Sequence, residues 1–145
     1  MDKTFSFARE CSAEVEQVWP RDGHVTLRFA LVGAEARQAT VVLRVRGEDG
    51  GEVRLPADST GQGYEVRIPL RLLAARRTAD EWYWDLYLDV GAGGEPLRLG
   101  THLDDITGKK KIFVYPAQHT AGFRAAPYYT IKDNLSIRCR REEGK

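Results

Sequence analysis

The decapeptide from Glu81 to Val90, Glu-Trp-Tyr-Trp-Asp-Leu-Tyr-Leu-Asp-Val, restricts the fold of this chain more than any other part of it. Trp82, Trp84, Leu86, Leu88 and Val90 share one parity, while Tyr83, Asp85, Tyr87 and Asp89 share the other. On a helix these two sets would mix around the axis; on a strand they separate cleanly onto two faces. The spacing therefore predicts a central strand with its tryptophans in a core. Aromatic side chains bury about 150–250 Å² each, so these two should dominate the packing.

The same period of two recurs along the chain. Val25, Leu27, Phe29 and Leu31 alternate with Thr26, Arg28 and Ala30. Val41, Leu43 and Val45 alternate with Arg44 and Arg46, and after a glycine-rich turn Val53 and Leu55 flank Arg54, which is a hairpin signal. Tyr64, Val66 and Ile68 follow the Gly61-Gln62-Gly63 turn, and Pro69, lacking an amide hydrogen, ends that strand. Leucines, alanines and arginines from Leu70 onward break the period and favour one short helical turn near 70–78. Beyond the central strand, Leu97 and Leu99, then Ile112 to Tyr115, then Tyr129 and Ile131, then Leu135, Ile137 and Cys139 read as further strands. The stretch from Ala117 to Ala126 reads as a loop.

Eight to ten strands with one helical turn point to an all-β, immunoglobulin-like two-sheet β-sandwich, with residues 1–145 as a single domain. A chain of 145 residues is long enough to bury about two thirds of its unfolded surface without staples. With 22 basic against 21 acidic side chains, the composition suggests neither disorder nor nucleic-acid binding. No apolar run approaches the roughly 20 residues of a membrane helix, and the first residues lack the pattern of a signal peptide. Those features favour a cytoplasmic protein with no membrane insertion. Cys11 and Cys139 stand near opposite ends. Were the first and last strands adjacent, a disulfide could add on the order of 4 kcal/mol, but a reducing cytoplasm favours two free thiols.

Signals for catalysis are sparse. No Gly-x-Ser-x-Gly elbow, phosphate-binding loop or dinucleotide fingerprint occurs, and the expected cofactors and metals are none. His102, followed by Asp104 and Asp105, can be read as a small cluster or, more plainly, as a turn. Asp85 and Asp89, with Glu81 in register, can be read as a row for acid-base work or as a solvated face paired with cross-strand arginines. Outward arginines, among them Arg46, Arg98 and Arg138, with Lys109 to Lys111, would suit a phosphate-bearing partner if they converge. Tyr83 and Tyr87, beside carboxylates, have the chemistry with which β-sheet modules stack on sugars.

The segment Ala126-Pro127-Tyr128-Tyr129-Thr130-Ile131-Lys132-Asp133-Asn134-Leu135-Ser136-Ile137-Arg138, together with Pro69-Leu70 and the Trp84–Val90 strand, resembles the β-sandwich accessory modules of actinobacterial cell-wall-type glycosyltransferases and glycerophosphotransferases. The resemblance covers the second half of the chain. It implies a non-catalytic module that binds carbohydrate polymer, associates with a glycosyltransferase catalytic domain, or forms a homo-oligomer; it transfers no catalytic residue. Tyr129 and Asn134 are the positions it singles out. The expected binding residues are thus Tyr83, Asp85, Tyr87, Asp89, His102, Tyr128, Tyr129 and Asn134. Two alternatives stand beside this reading. One is a small ligand-binding or tailoring protein of a secondary-metabolite pathway, with a pocket near His102, Asp104 and Tyr128. The other is a small enzyme using Asp85, Asp89 and a histidine.

Overall fold

The structure is a computed structural model that describes residues 11–33, 38–47, 51–76, 80–91, 93–101, 115–120 and 122–142. Among these residues the chain is built almost wholly of β-strands: β1 (Ser12–Arg21), β2 (His24–Val32), β3 (Thr40–Val45), β4 (Glu52–Pro56), β5 (Asp58–Ser59), β6 (Tyr64–Pro69), β7 (Glu81–Asp89), β8 (Leu97–Gly100), β9 (Gln118–Thr120), β10 (Phe123–Tyr129) and β11 (Leu135–Arg141). One 3₁₀ helix, Leu70–Arg76, interrupts them. The strand predicted from Ile112 to Tyr115 lies, except for Tyr115, outside the described residues.

The strands join in one hydrogen-bonded path, β5-β6-β2-β1-β8-β7-β11-β10-β9, with β3 on the other edge of β7 and β4 beyond it. Eight to ten strands were expected and eleven are present among the described residues, because short pieces such as β5 and β9 carry too few residues to show a period. The sheet is mixed: β1 and β8 run parallel, and the other pairings are antiparallel. β8 does two things within four residues. Leu97 and Arg98 pair with Leu88 and Tyr87 of β7, while Leu99 and Gly100 pair with Ala13 and Glu14 of β1. It thereby links the β1-β2-β6 half of the sheet to the β3-β7-β11-β10 half.

Both halves feed one hydrophobic core. Val25, Leu27, Phe29, Val66 and Ile68 come from one, and Val41, Leu43, Trp82, Trp84, Leu86, Phe123 and Ile137 from the other. The alternation of β7 is realised residue by residue, with every even-numbered position from Trp82 to Leu88 buried. Trp82 and Trp84 donate their indole N–H groups to the same acceptor, the Leu73 carbonyl, at 2.9 and 3.1 Å. Leu70 and Leu73, three apart, are both buried, a spacing that fits one face of a helix with 3.0 residues per turn. The far end of the path is tied back as well: the Gln118 amide of β9 accepts from Gly23 N at 2.9 Å and donates to His24 O at 2.7 Å in the β1–β2 turn.

Two expectations need correction. The Ala117–Ala126 stretch is not a loop but contains β9 and most of β10. Its strand character was hidden by Pro127; β9 pairs only as far as Ala125, so β10 is an edge there, where a sheet admits proline. Ile131 does not extend a strand; it is 80% exposed in the turn before β11. The expectation of two free thiols holds: β1 pairs with β2 and β8 whereas β11 pairs with β7 and β10, and Cys11 and Cys139 are both free. Cys139 is buried in the core, and burial pushes its thiol up to about 12.

Replacing Trp84 by Ala should lower the unfolding free energy by about 3–5 kcal/mol in denaturant titration, through the cavity and the lost bond to Leu73. At Gly100 a β-carbon would stand 2.6 Å from the Asp133 carbonyl oxygen, whereas at Gly94 it would meet nothing within 4 Å. Gly100→Ala should therefore cost about 1–3 kcal/mol, and Gly94→Ala no more than about 0.5 kcal/mol.

Candidate functional site

The outer face of β7 carries Glu81, Tyr83, Asp85, Tyr87 and Asp89, all half-buried. Register places Ser136 of β11 and Arg44 of β3 on either side of Asp85, and Tyr128 of β10 opposite Ser136. Asp85 is the hub of this row. Arg46 reaches it with two bonds, Nε to Oδ2 at 3.3 Å and Nη2 to Oδ1 at 2.8 Å. Arg98 Nη2 donates to Oδ1 at 3.1 Å and the Ser136 hydroxyl donates to the same oxygen at 2.7 Å.

Arg98 has a structural reason to be there. β3 occupies one edge of β7, so β8 and β11 share the other, β11 along residues 81–85 and β8 at residues 87–88. At their junction Arg98 Nη1 donates to the carbonyls of Leu86 (3.1 Å) and Leu135 (2.7 Å). A guanidinium with five N–H donors can serve two backbone acceptors and a carboxylate at once. Its side chain is 20% exposed and that of Asp85 is 15% exposed, against 43% for Arg46. Burial lowers the Arg98 pKa despite the Asp85 charge. Burial also pushes the Asp85 carboxyl up, but hydrogen bonds from Arg46 and Ser136 and the two guanidinium charges outweigh it and hold the carboxyl below its ordinary value. The bond to Asp85 raises Arg46, which stays charged at any ordinary pH.

Arg46 Nη2 also donates to the Tyr128 hydroxyl at 2.9 Å, and its guanidinium lies 4.8 Å from the Tyr83 ring centroid. Tyr83 and Tyr128 meet edge to face at 6.2 Å. These three residues, with Tyr115, Thr130, Lys132 and Arg138, line an open groove of about 720 Å³. Arg138 Nε donates to Glu81 at 2.6 Å, which lowers the Glu81 pKa. Burial, then a hydrogen bond with Glu81, raises the Tyr83 hydroxyl.

Seven of the eight residues singled out from sequence lie among the described residues and separate into four groups. Tyr83 and Tyr128 come together at the groove, with Asp85 joined to them through Arg46. Tyr87 and Asp89 lie farther along the same face: Tyr87 is flanked by Arg44 and Arg98, at 5.0 and 5.2 Å from its centroid, and Asp89 accepts from Gly91 N at 2.9 Å and pairs with Arg54. Those contacts, the Gly91 amide first, lower the Asp89 carboxyl. Tyr129 points the other way; it is 4% exposed in the core and its ring lies 6.3 Å from that of Tyr115. Asn134 forms the turn before β11, bridging to Gly100 and donating its backbone N–H to Thr130 Oγ1 at 3.2 Å. His102 and Asp104 lie outside the described residues. No cluster of three metal-ligating side chains occurs among the described residues. Sequence reasoning missed Ser136, whose polar side chain falls in an apolar-looking strand start, and Lys132.

No protein-family model matches the chain, and no curated protein matches it in sequence. Solved structures do match. The structure of S. aureus TarS 217–571 superposes with a TM-score of 0.65 at 14% identity, covering 93% of this chain and 40% of that one. A longer S. aureus TarS structure gives the same score and identity over 92% of this chain and 25% of that one. At such identity the likeness is one of fold, and the chain spans less than half of either TarS chain.

Asp85→Asn should lower stability by about 2–3 kcal/mol near neutral pH, because Arg98 stays largely buried without its counter-charge. The sign with pH follows from the depressed carboxyl. The contribution is complete above the ordinary value of 3.8 and is lost as pH falls through the lower folded value. Denaturant titrations between neutral pH and strong acid should show wild type and Asp85→Asn converging at the acid end.

Proposed function

We propose that this chain is a non-catalytic accessory module of a glycosyltransferase, folded over residues 1–145 as a single immunoglobulin-like two-sheet sandwich. Working in the cytoplasm, it holds carbohydrate polymer on the outer face of β7, β11 and β10. The observation that carries the reading is the groove of about 720 Å³ lined by Tyr83, Tyr128, Arg46 and Arg138 among others. Hydroxyls and guanidiniums offer hydrogen bonds to sugar oxygens, and the tyrosine rings add apolar lining beside them.

The sandwich reading draws support from β8, which divides the hydrogen-bonded path into two halves that both feed one core. The association with a glycosyltransferase draws support from the fold likeness to TarS, a wall teichoic acid glycosyltransferase. The absence of a catalytic role draws support from Asp85 and Asp89. Both carboxyls are held below their ordinary range and engaged by arginines, so neither keeps a proton to donate near neutral pH. An enclosed apolar pocket is what the secondary-metabolite alternative requires; the groove beside Tyr128 is open and bordered by cations.

Calorimetric titration with soluble glycan polymers, paired with sedimentation, tests the reading. Wild type should bind at least one polymer, and Tyr83→Ala or Tyr128→Ala should weaken that binding about tenfold, the loss of roughly 1.4 kcal/mol. A folded monomer that binds no polymer would contradict it.

A further inference from the structure

Large apolar side chains stay exposed at two places among the described residues: Ile131, beside the groove already described, and Trp19 of β1. An exposed tryptophan standing alone is ordinary. Trp19 does not stand alone. Register sets it opposite Thr26 of β2, and Thr26 opposite Arg67 of β6, so the three share one row across three adjacent strands. The row lies on the solvent side, since Val25 and Leu27 on either side of Thr26 are fully buried. The three line a groove of about 290 Å³, together with Arg21, Asp22, Arg28 and Glu65.

The charged groups that line this groove leave one cation over. Arg28 Nε donates to Glu65 at 2.9 Å, and Arg21 pairs with Asp22 at 4.0 Å. Arg67 is exposed and makes no ion pair among the described residues, where the Thr26 hydroxyl also has no hydrogen-bond partner. Asp58 of β5 stands opposite Glu65 on the far edge of β6 and does not line the groove. Arg28 also places its guanidinium 5.5 Å from the Trp19 ring centroid. Holding Glu65 of β6 on one side and the indole of β1 on the other, it orders both walls before a ligand arrives, which lowers the cost of binding. One guanidinium covers one face of a ring, and Trp19 keeps 39% of its surface exposed.

We propose that this groove binds a mononucleotide: a flat ring joined through hydroxyl-bearing carbons to one phosphate. The ring stacks on Trp19, the phosphate pairs with Arg67, and the sugar hydroxyls pass over Thr26 and Glu65. Length supports the assignment. β1 and β6 stand two strand spacings apart, about 10 Å at roughly 4.8 Å per spacing, and a ring that bears its anion directly is too short to reach both ends. A guanidinium matches a phosphate with two parallel N–H bonds, and an indole accepts any base because every base has a π-face. The single spare cation calls for one phosphate rather than a chain of them. No residue of this groove lines the one at Tyr83 and Tyr128, so the inference stands apart from the accessory-module reading.

Calorimetric titration of the full chain with adenosine monophosphate, adenosine, ribose phosphate and benzoate tests this. Adenosine monophosphate should bind about tenfold or more tightly than each of the others, which lack the phosphate, the ring or the reach. It should also quench the intrinsic fluorescence, because Trp82 and Trp84 are buried and Trp19 is the exposed indole. Trp19→Ala and Arg67→Gln, both at exposed positions, should stay folded and each lose about tenfold in affinity, and the quenching should vanish in Trp19→Ala. Equal binding of adenosine would remove Arg67 from the site, and equal binding of ribose phosphate would remove Trp19; either result overturns the inference. Tighter binding of benzoate, or binding of none of the four probes, overturns it as well. Unchanged affinity in either folded variant would put the nucleotide elsewhere and overturn it too. None of these results bears on glycan binding at the Tyr83 groove.

Discussion

At the junction where β8 and β11 share one edge of β7, two backbone carbonyls, those of Leu86 and Leu135, meet the guanidinium of Arg98. A buried backbone acceptor without a donor costs free energy comparable to a lost hydrogen bond, and a buried guanidinium without a counter-charge costs more. Asp85 answers the second need and, through Ser136 and Arg46, fixes the outer surface above it. The link between the two halves of the sheet and the shape of the candidate site therefore depend on the same carboxylate. The Tyr83–Tyr128 groove is set by what Arg46 touches, and Arg46 is set by Asp85.

Much of the architecture was legible in the period of two, because burial on one face of a strand leaves that mark directly. The β7 pattern placed Trp82 and Trp84 inside and Tyr83 and Asp85 outside, as they are found. β1 was harder to read for a physical reason. Its register shifts between Val15 and Gln17, so the buried residues run Ala13, Val15, Val18, and the alternation changes phase midway. The β1–β2 turn carried a clearer signal that went unused. Asp22-Gly23, both at positive φ, is the dipeptide that a two-residue hairpin favours. What no local pattern could convey is that β8 serves two partners in four residues. Strand pairing between segments more than eighty residues apart is a property of the assembled core, not of any window of sequence.

The site was legible in its residue types and less so in its grouping. Parity alone put Tyr83, Asp85, Tyr87 and Asp89 on one face, and the outward arginines were visible as a set. Parity could not say that Tyr128 would join Tyr83 while Tyr129 turned into the core, since that depends on the register of β10 against β11. Nor could it say which arginines would find acids. β4 brings its own Glu52 to Arg44 and Arg54, whereas β10 and β11 carry arginines and no carboxylate, so their acids come from whichever strands and turns the sheet sets beside them.

The central claim is that Asp85 stays ionised under two guanidiniums and a hydroxyl while largely shielded from water. Following its side-chain carboxyl carbon by NMR across an acid titration measures this directly. The account predicts a midpoint below the ordinary aspartate value of 3.8, with Ser136 and the Arg46 and Arg98 guanidinium resonances shifting in step as the carboxyl protonates. A midpoint at or above 3.8, with those neighbours unmoved, would mean that burial dominates and that Asp85 does not organise the face.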